Sequence, residues 1–274
     1  MKSIHLFAGI GGGIIADIAA GNTVCGAVEI DNYCRAVIRA RQLDGWLPPF
    51  PILNDVRDVE GDEFGENIEL VCGGFPCQDV SLLNQTGQRG LKGEKTGLFS
   101  ELVRITDRIR PKFIFLENVS NIVNVCLKEV LATFAQRGYD AEWTCLSAGE
   151  VGAWHKRDRW WGLFYVPDAA RERWERLSAQ RGRMESKGGT TALNDGASAA
   201  GEGDVLQQSE FDYQAERPSY WVSEPEIDRV VNGFPTKLDR CRVRALGNAQ
   251  VPYCAYCAYE QLLYRAMRNA SRVV

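Results

Sequence analysis

The chain has 274 residues, 45% of them hydrophobic and 25% charged, with a formal net charge of −4. That length allows a sizeable core in one large domain, or in one large and one small, and the composition is that of an ordinary globular protein. No apolar run approaches the roughly 20 residues of a membrane helix, and "MKSIHLFAGIGG" lacks the apolar core of a signal peptide, so the expectation is a cytoplasmic protein with no membrane association and reduced cysteines. The acidic balance argues against nucleic-acid binding by charge alone. However, residues 151–274 carry 18 Lys+Arg against 16 Asp+Glu, with basic runs at 155–159 and 237–244. A locally basic face on an acidic protein can still hold a phosphate backbone.

In chain order, "SIHLF" reads as a strand and "GGGIIADIAAG" as a helix closed by glycine. "TVCGAVEI" is a strand, and "DNYCRAVIRARQL" a helix with Asp31 as its N-cap. "PILN" and "IELVCG" are strands, and "TGLFSELVRITDRI" is an amphipathic helix stopped by Pro111. "KFIFLE", "YDAEWTCLSA" and "RWWGLFYV" are strands, with a helix over "NIVNVCLKEVLATFAQRG" between the first two. This alternation predicts an α/β fold with a doubly wound, mostly parallel sheet, in which ligands bind at the carboxyl ends of the strands. From Pro167 the chain turns polar, and 186–204 is rich in Gly, Ala and Ser, the composition of a loop or linker. "AQVPYCAYCAYEQLLYRAMRNA" is a C-terminal helix.

Chemistry concentrates at the predicted strand ends. "LFAGIGGG" (6–13) is a glycine-rich strand-to-helix turn, which lets the backbone approach a ligand, but it is not the G-x-G-x-x-G dinucleotide fingerprint. Glu29 ends the second strand, where a carboxylate can grip ribose hydroxyls. Asp55 follows the third, and Phe7 is placed to stack on a flat base. Together these predict a nucleoside site. "VCGGFPCQDVS" (71–81) follows the next strand. Pro76 fixes the backbone before Cys77, so its thiol is held, and Glu117 projects from the neighbouring strand end. A held thiol beside a carboxyl group reads as nucleophile and proton donor. "CAYC" (254–257) has no second CxxC, and the only histidines are His5 and His155; core packing is expected there, and no metal.

"LFAGIGG", "GGFPCQDVS", "TGLFSE", "ENV", "HKRDR" and "GNAQVP" follow in the order and spacing of the DNA cytosine-5 methyltransferase family, which the chain resembles over almost its whole length except about 167–230. The resemblance implies a Rossmann-like S-adenosylmethionine-dependent fold. The catalytic domain would cover 1–166, completed by 243–274, with a small target-recognition region at 167–242. It implies methyl transfer to carbon 5 of cytosine in double-stranded DNA, with base flipping, by a monomer in a bacterial or phage-infected cell, as in restriction–modification. Cys77 would be the nucleophile, Glu117 the donor to N3, and Arg157 and Arg159 the grip on the base. Phe7, Gly9, Gly11, Glu29, Asp55, Leu98 and Asn248 would hold the cofactor, and 81–97 would form a closing loop. The chain departs from the family pattern at His155, at Val80 and in the short 167–230 segment. A transfer-RNA methyltransferase and a catalytically silent DNA-binding relative share the same motifs and stand as alternatives. A nicotinamide-dependent oxidoreductase lacks the fingerprint glycines.

Overall fold

The computed structural model describes residues 1–75, 97–173, 175–176 and 237–271. Cys77, nearly all of the expected closing loop and most of the expected target-recognition region lie outside them. The described elements are β1 (Lys2–Leu6), α1 (Gly12–Ala19), β2 (Thr23–Val28), α2 (Asn32–Leu43), β3 (Ile52–Leu53), β4 (Leu70–Gly73), α3 (Gly97–Ile109), β5 (Phe113–Val119), α4 (Ile122–Val125), α5 (Leu127–Ala135), β6 (Asp140–Leu146), β7 (Arg159–Tyr165), α6 (Lys237–Asn248) and α7 (Pro252–Ser271).

The seven strands form one sheet in the order β3-β2-β1-β4-β5-β7-β6. The first five pair in parallel, and β7 runs antiparallel to both β5 and β6. Both faces are covered, so the strands are apolar on both sides. In β5, Ile114 and Leu116 face the cluster under α3 to α5, while Phe113 and Phe115 face the one under α1 and α7. In β7, Trp160 and Phe164 alternate in the same way with Trp161, Leu163 and Tyr165. Strand order reverses between β1 and β4, the point where open α/β sheets leave a crevice for ligands.

Local sequence accounts for the element ends. The Asp31 carboxylate caps α2 by accepting from the Tyr33 and Cys34 amides at 2.8 and 3.2 Å. α3 stops at Ile109; Arg110 takes a left-handed φ of 50° directly before Pro111. The helix expected over 121–138 is broken. Cys126 leaves helical geometry at φ −148° and separates α4 from α5. Its carbonyl accepts from the amides of Glu129 and Val130, both at 3.1 Å, so the second helix restarts from Cys126 with its first carbonyl satisfied.

The C-terminal helix returns to the sheet as the sequence predicts, packing on α1, β6 and β7. Cys254 and Cys257 sit in its apolar seam, and burial pushes the Cys254 thiol up to about 12. α6 spans positions 237–248 as one helix, so the sequence boundary at 242/243 falls inside it. No helix among the described residues is long and apolar enough to cross a membrane.

Candidate active site

The carboxyl ends of β1, β2, β4 and β5 open onto one cavity of about 530 Å³, within the size range of small-molecule and cofactor pockets. Its near wall is the turn after β1. Phe7 has φ 57° and Gly9 φ 55°. An aromatic residue in the left-handed region is uncommon, and such outliers gather at ligand sites. The turn is tied to the next strand by its own amides: Glu29 accepts from Gly9 N at 2.7 Å and from Asp31 N at 2.8 Å. Arg35 is buried and donates to the carbonyls of Glu29 and Ile30 at 2.6 and 2.7 Å, which holds the end of β2 in place.

Phe7, Gly9, Glu29, Asp55, Leu98, Asn248, Glu117, Arg157 and Arg159 all line this cavity. Gly11 does not. It is the left-handed N-cap of α1, φ 91°, with Ile38 and Leu47 packed behind it. The Asp55 carboxylate already pairs with Arg57, 2.5 Å from Nη2, and accepts the Arg57 amide at 3.0 Å as the cap of a 3-10 turn. The Arg57 hydrogen bond holds its carboxyl below the usual range. Gly74 and Phe75, the last described residues before Pro76 and Cys77, line the same space.

Glu117 and Arg159 meet because of the antiparallel register. Glu117 lies opposite Trp161 and Val119 opposite Arg159, so Glu117 and Arg159 are diagonal neighbours on one face. Arg159 Nε lies 2.8 Å from Glu117 Oε1. Burial raises the Glu117 carboxyl above its ordinary value, against the opposing pull of Arg159, Arg157 and a hydrogen bond from Gln250. Desolvation outweighs the ion pair here, and the result is a carboxyl group suited to carrying a proton. Arg157 is differently employed. Its Nη1 and Nη2 donate to the carbonyls of Gly247 and Ala249 at 2.9 and 2.5 Å. It thereby clamps the "HKRDR" segment to "GNAQVP".

The C-5 cytosine-specific DNA methylase family matches residues 1–235. The chain belongs to that family. A type II methyltransferase of Paramecium bursaria Chlorella virus IL3A, M.CviJI, is 32% identical over 59% of this chain and 42% of its own length. M.NgoPII of Neisseria gonorrhoeae is 32% identical over 61% of this chain and 47% of its own. The chain thus spans about half the length of the curated relatives it matches. Among solved structures, the methyltransferase EhMeth of Entamoeba histolytica aligns with a TM-score of 0.51 and 17% identity over 61% of this chain and 53% of that one, a likeness of fold.

Three residues of this candidate site escaped the sequence reading. Ile30 is 64% exposed at the cavity edge; an apolar residue directly after the strand-end acid was the available signal. Asn118 is buried and donates from Nδ2 to the Phe75 carbonyl at 3.3 Å, anchoring the chain at the last residue described before Pro76. Gln250 reaches Glu117, and nothing local in the sequence announces it. A second, buried polar group lies behind the site. Asp17 accepts from Ser3, from His5 at 3.0 Å and from Asn22 at 2.7 Å. Burial opposes its charge, but these hydrogen bonds prevail and hold the carboxyl below the usual range. His5, Asp17 and Cys72 cluster within 4.8 Å; a hydrogen bond joins His5 to Asp17, and Cys72 stands beside His5 as its partner across the β1–β4 register.

Proposed function

We propose that this protein transfers a methyl group from S-adenosylmethionine to carbon 5 of cytosine in double-stranded DNA, acting as a monomer in the cytoplasm of a bacterial or virus-infected cell. The observation that carries the reading is the meeting of Glu117 and Arg159 with the glycine turn and Glu29 around one cavity that Gly74 and Phe75 also line. The residues present fit the cofactor. Gly9 has no atom within 4 Å of where a Cβ would stand, so the backbone is open to close approach. Glu29 keeps free lone pairs for ribose hydroxyls beyond the two amides it accepts. Phe7 and Ile30 offer apolar surface to the base, and Leu98 and Asn248 close the far side. When bound, S-adenosylmethionine supplies an electrophilic methyl group.

The protein's own part is to make cytosine a nucleophile. The Cys77 thiolate adds to carbon 6 of a flipped base, and Glu117 gives its proton to N3, which neutralises the charge that addition builds on the ring. Arg159 fixes the Glu117 carboxyl and faces the same space. Mapping methylcytosine in host DNA after expression tests activity, substrate and target together. Methylation confined to transfer RNA, or absent altogether, would overturn the reading.

Two further outcomes are expected. Asp55→Asn keeps an acceptor for the Arg57 amide, and Glu29→Gln keeps one for a single one of the two amides that Glu29 accepts, while both weaken grips on the nucleoside. Each should raise the Kd for S-adenosylmethionine about 10- to 100-fold by calorimetry, about 1.5–3 kcal/mol for a hydrogen bond to a charged group. Unchanged affinity in both would remove them from the cofactor site. Residues 167–242 carry target choice in this proposal. Exchanging them for the segment of a relative with another target should move the methylated sequence, read by sequencing of modified DNA.

A further inference from the structure

Gln250, on the turn into α7, is placed by three glycines. A Cβ on Gly12 would stand 2.2 Å from the Gln250 carbonyl oxygen, one on Gly13 would stand 2.3 Å from its Oε1, and one on Gly74 would stand 3.3 Å from its Nε2. Real Cβ atoms do not approach backbone oxygen so closely, so the Gln250 backbone fits there only because Gly12 lacks a side chain, while at Gly13 and Gly74 the neighbour is the movable end of the Gln250 side chain. The same point above Gly74 lies 2.8 Å from Glu117 Oε2. Gln250 Nε2 and Glu117 Oε2 therefore both stand beside that one point above Gly74, and the Gln250 side chain is among the groups that oppose the rise of the Glu117 carboxyl. A carboxylate only accepts, so the amide presents Nε2 to it. Its Oε1 then faces Gly13, whose Cβ position is also 3.6 Å from His5 Nδ1.

We propose that Gln250 is the positioning residue for Glu117. Its Nε2 holds the carboxyl group toward the base site, and the absence of side chains at Gly12, Gly13 and Gly74 is what lets it do so. The proposal rests on the reading of Glu117 as the proton donor to cytosine. Few groups compete for that carboxyl group. Arg159 and Arg157 face it from β7 and the segment before it, while His5, Asp17 and Cys72 line the adjoining cavity of about 50 Å³ from β1, α1 and β4. Removing a neutral donor leaves both guanidinium groups in place and takes one stabiliser from the ionised form. The Glu117 titration should therefore move to higher pH.

The test is a carbon-13 NMR titration of side-chain carboxyl groups in the full chain, with Glu117→Gln assigning the Glu117 signal. Gln250→Leu should titrate at higher pH than wild type. Gly13→Ala should move the signal in the same direction, because its Cβ displaces the far end of Gln250 without touching Glu117. The double variant should show no further shift. If Gln250→Leu does not fold, Gly13→Ala and wild type carry the comparison. With DNA and S-adenosylmethionine, both variants should lose kcat about tenfold, with KM for each within twofold, and the alkaline limb of the kcat profile should move upward. A Glu117 signal that titrates identically in wild type and variants would overturn the positioning role, whatever the activity. The expected shift in a protein that transfers no methyl group to DNA would support positioning and overturn the proposed function.

Discussion

Wild-type protein and Cys72→Ser should each form a covalent adduct with DNA carrying 5-fluorocytosine at the target when S-adenosylmethionine is present, and Cys77→Ser should form none. Addition joins the cysteine sulfur to carbon 6. After methylation, carbon 5 must lose its hydrogen as a proton before the sulfur can leave. Fluorine cannot depart as a cation, so the adduct persists. Serine in place of Cys77 removes the trap, because an alkoxide is far harder to generate near neutral pH than a thiolate. Cys72 is the necessary control, being the other cysteine of the same motif. It lies inside β4, 6% exposed, in the apolar cluster under α7, and burial pushes its thiol well above the ordinary range. Such a thiol is inert. Denaturing electrophoresis with labelled DNA reads the result. An adduct with Cys77→Ser, or its loss with Cys72→Ser alone, would mean that the nucleophile is not Cys77.

Glu117→Gln should lower kcat by about 10²–10⁴ while leaving cofactor affinity close to wild type, because the amide keeps the shape of the carboxyl group and loses only its proton. The same substitution has a signature in stability. The folded-state Glu117 carboxyl is raised above its ordinary value of 4.5, so the fold favours the protonated form. That contribution is complete below the unfolded value, and it is lost as pH rises through the folded value. Glutamine does not ionise. The stability of Glu117→Gln relative to wild type should therefore rise with pH across that window and level off beyond it. A difference in urea midpoints that stays flat with pH would show that Glu117 is not raised in the folded protein.

The strands and the order of chemistry along the chain were legible because both are local. Strands buried on two faces read as short apolar runs, and "KFIFLE" and "RWWGLFYV" appear as β5 and β7 within two residues of their predicted ends. Asp31 announced its cap. The break at Cys126 was not legible, since the run around it has unbroken helical periodicity and only the packing of two short helices on the sheet shows the interruption. Arg157 and Arg159 lie two residues apart in one basic motif, and nothing local separates their duties. The register of β7 on β5 gives Arg159 to Glu117, while the return of the C-terminal segment gives Arg157 to the carbonyls of Gly247 and Ala249.

By itself the sequence determined which candidate side chains stand at the strand ends, because an acid after a strand and a glycine turn each act through backbone geometry set within a few residues, and Glu29, Asp55 and Glu117 do line one cavity there. Only the tertiary structure decided which of them touch. Asn118 to Phe75 spans 43 positions along the chain and Arg157 to Ala249 spans 92, and the meeting of Gln250 with Gly12, Gly13, Gly74 and Glu117 joins three separate turns. Contacts of that range depend on strand order, register and the path of the last helix, and no spacing in the sequence encodes them.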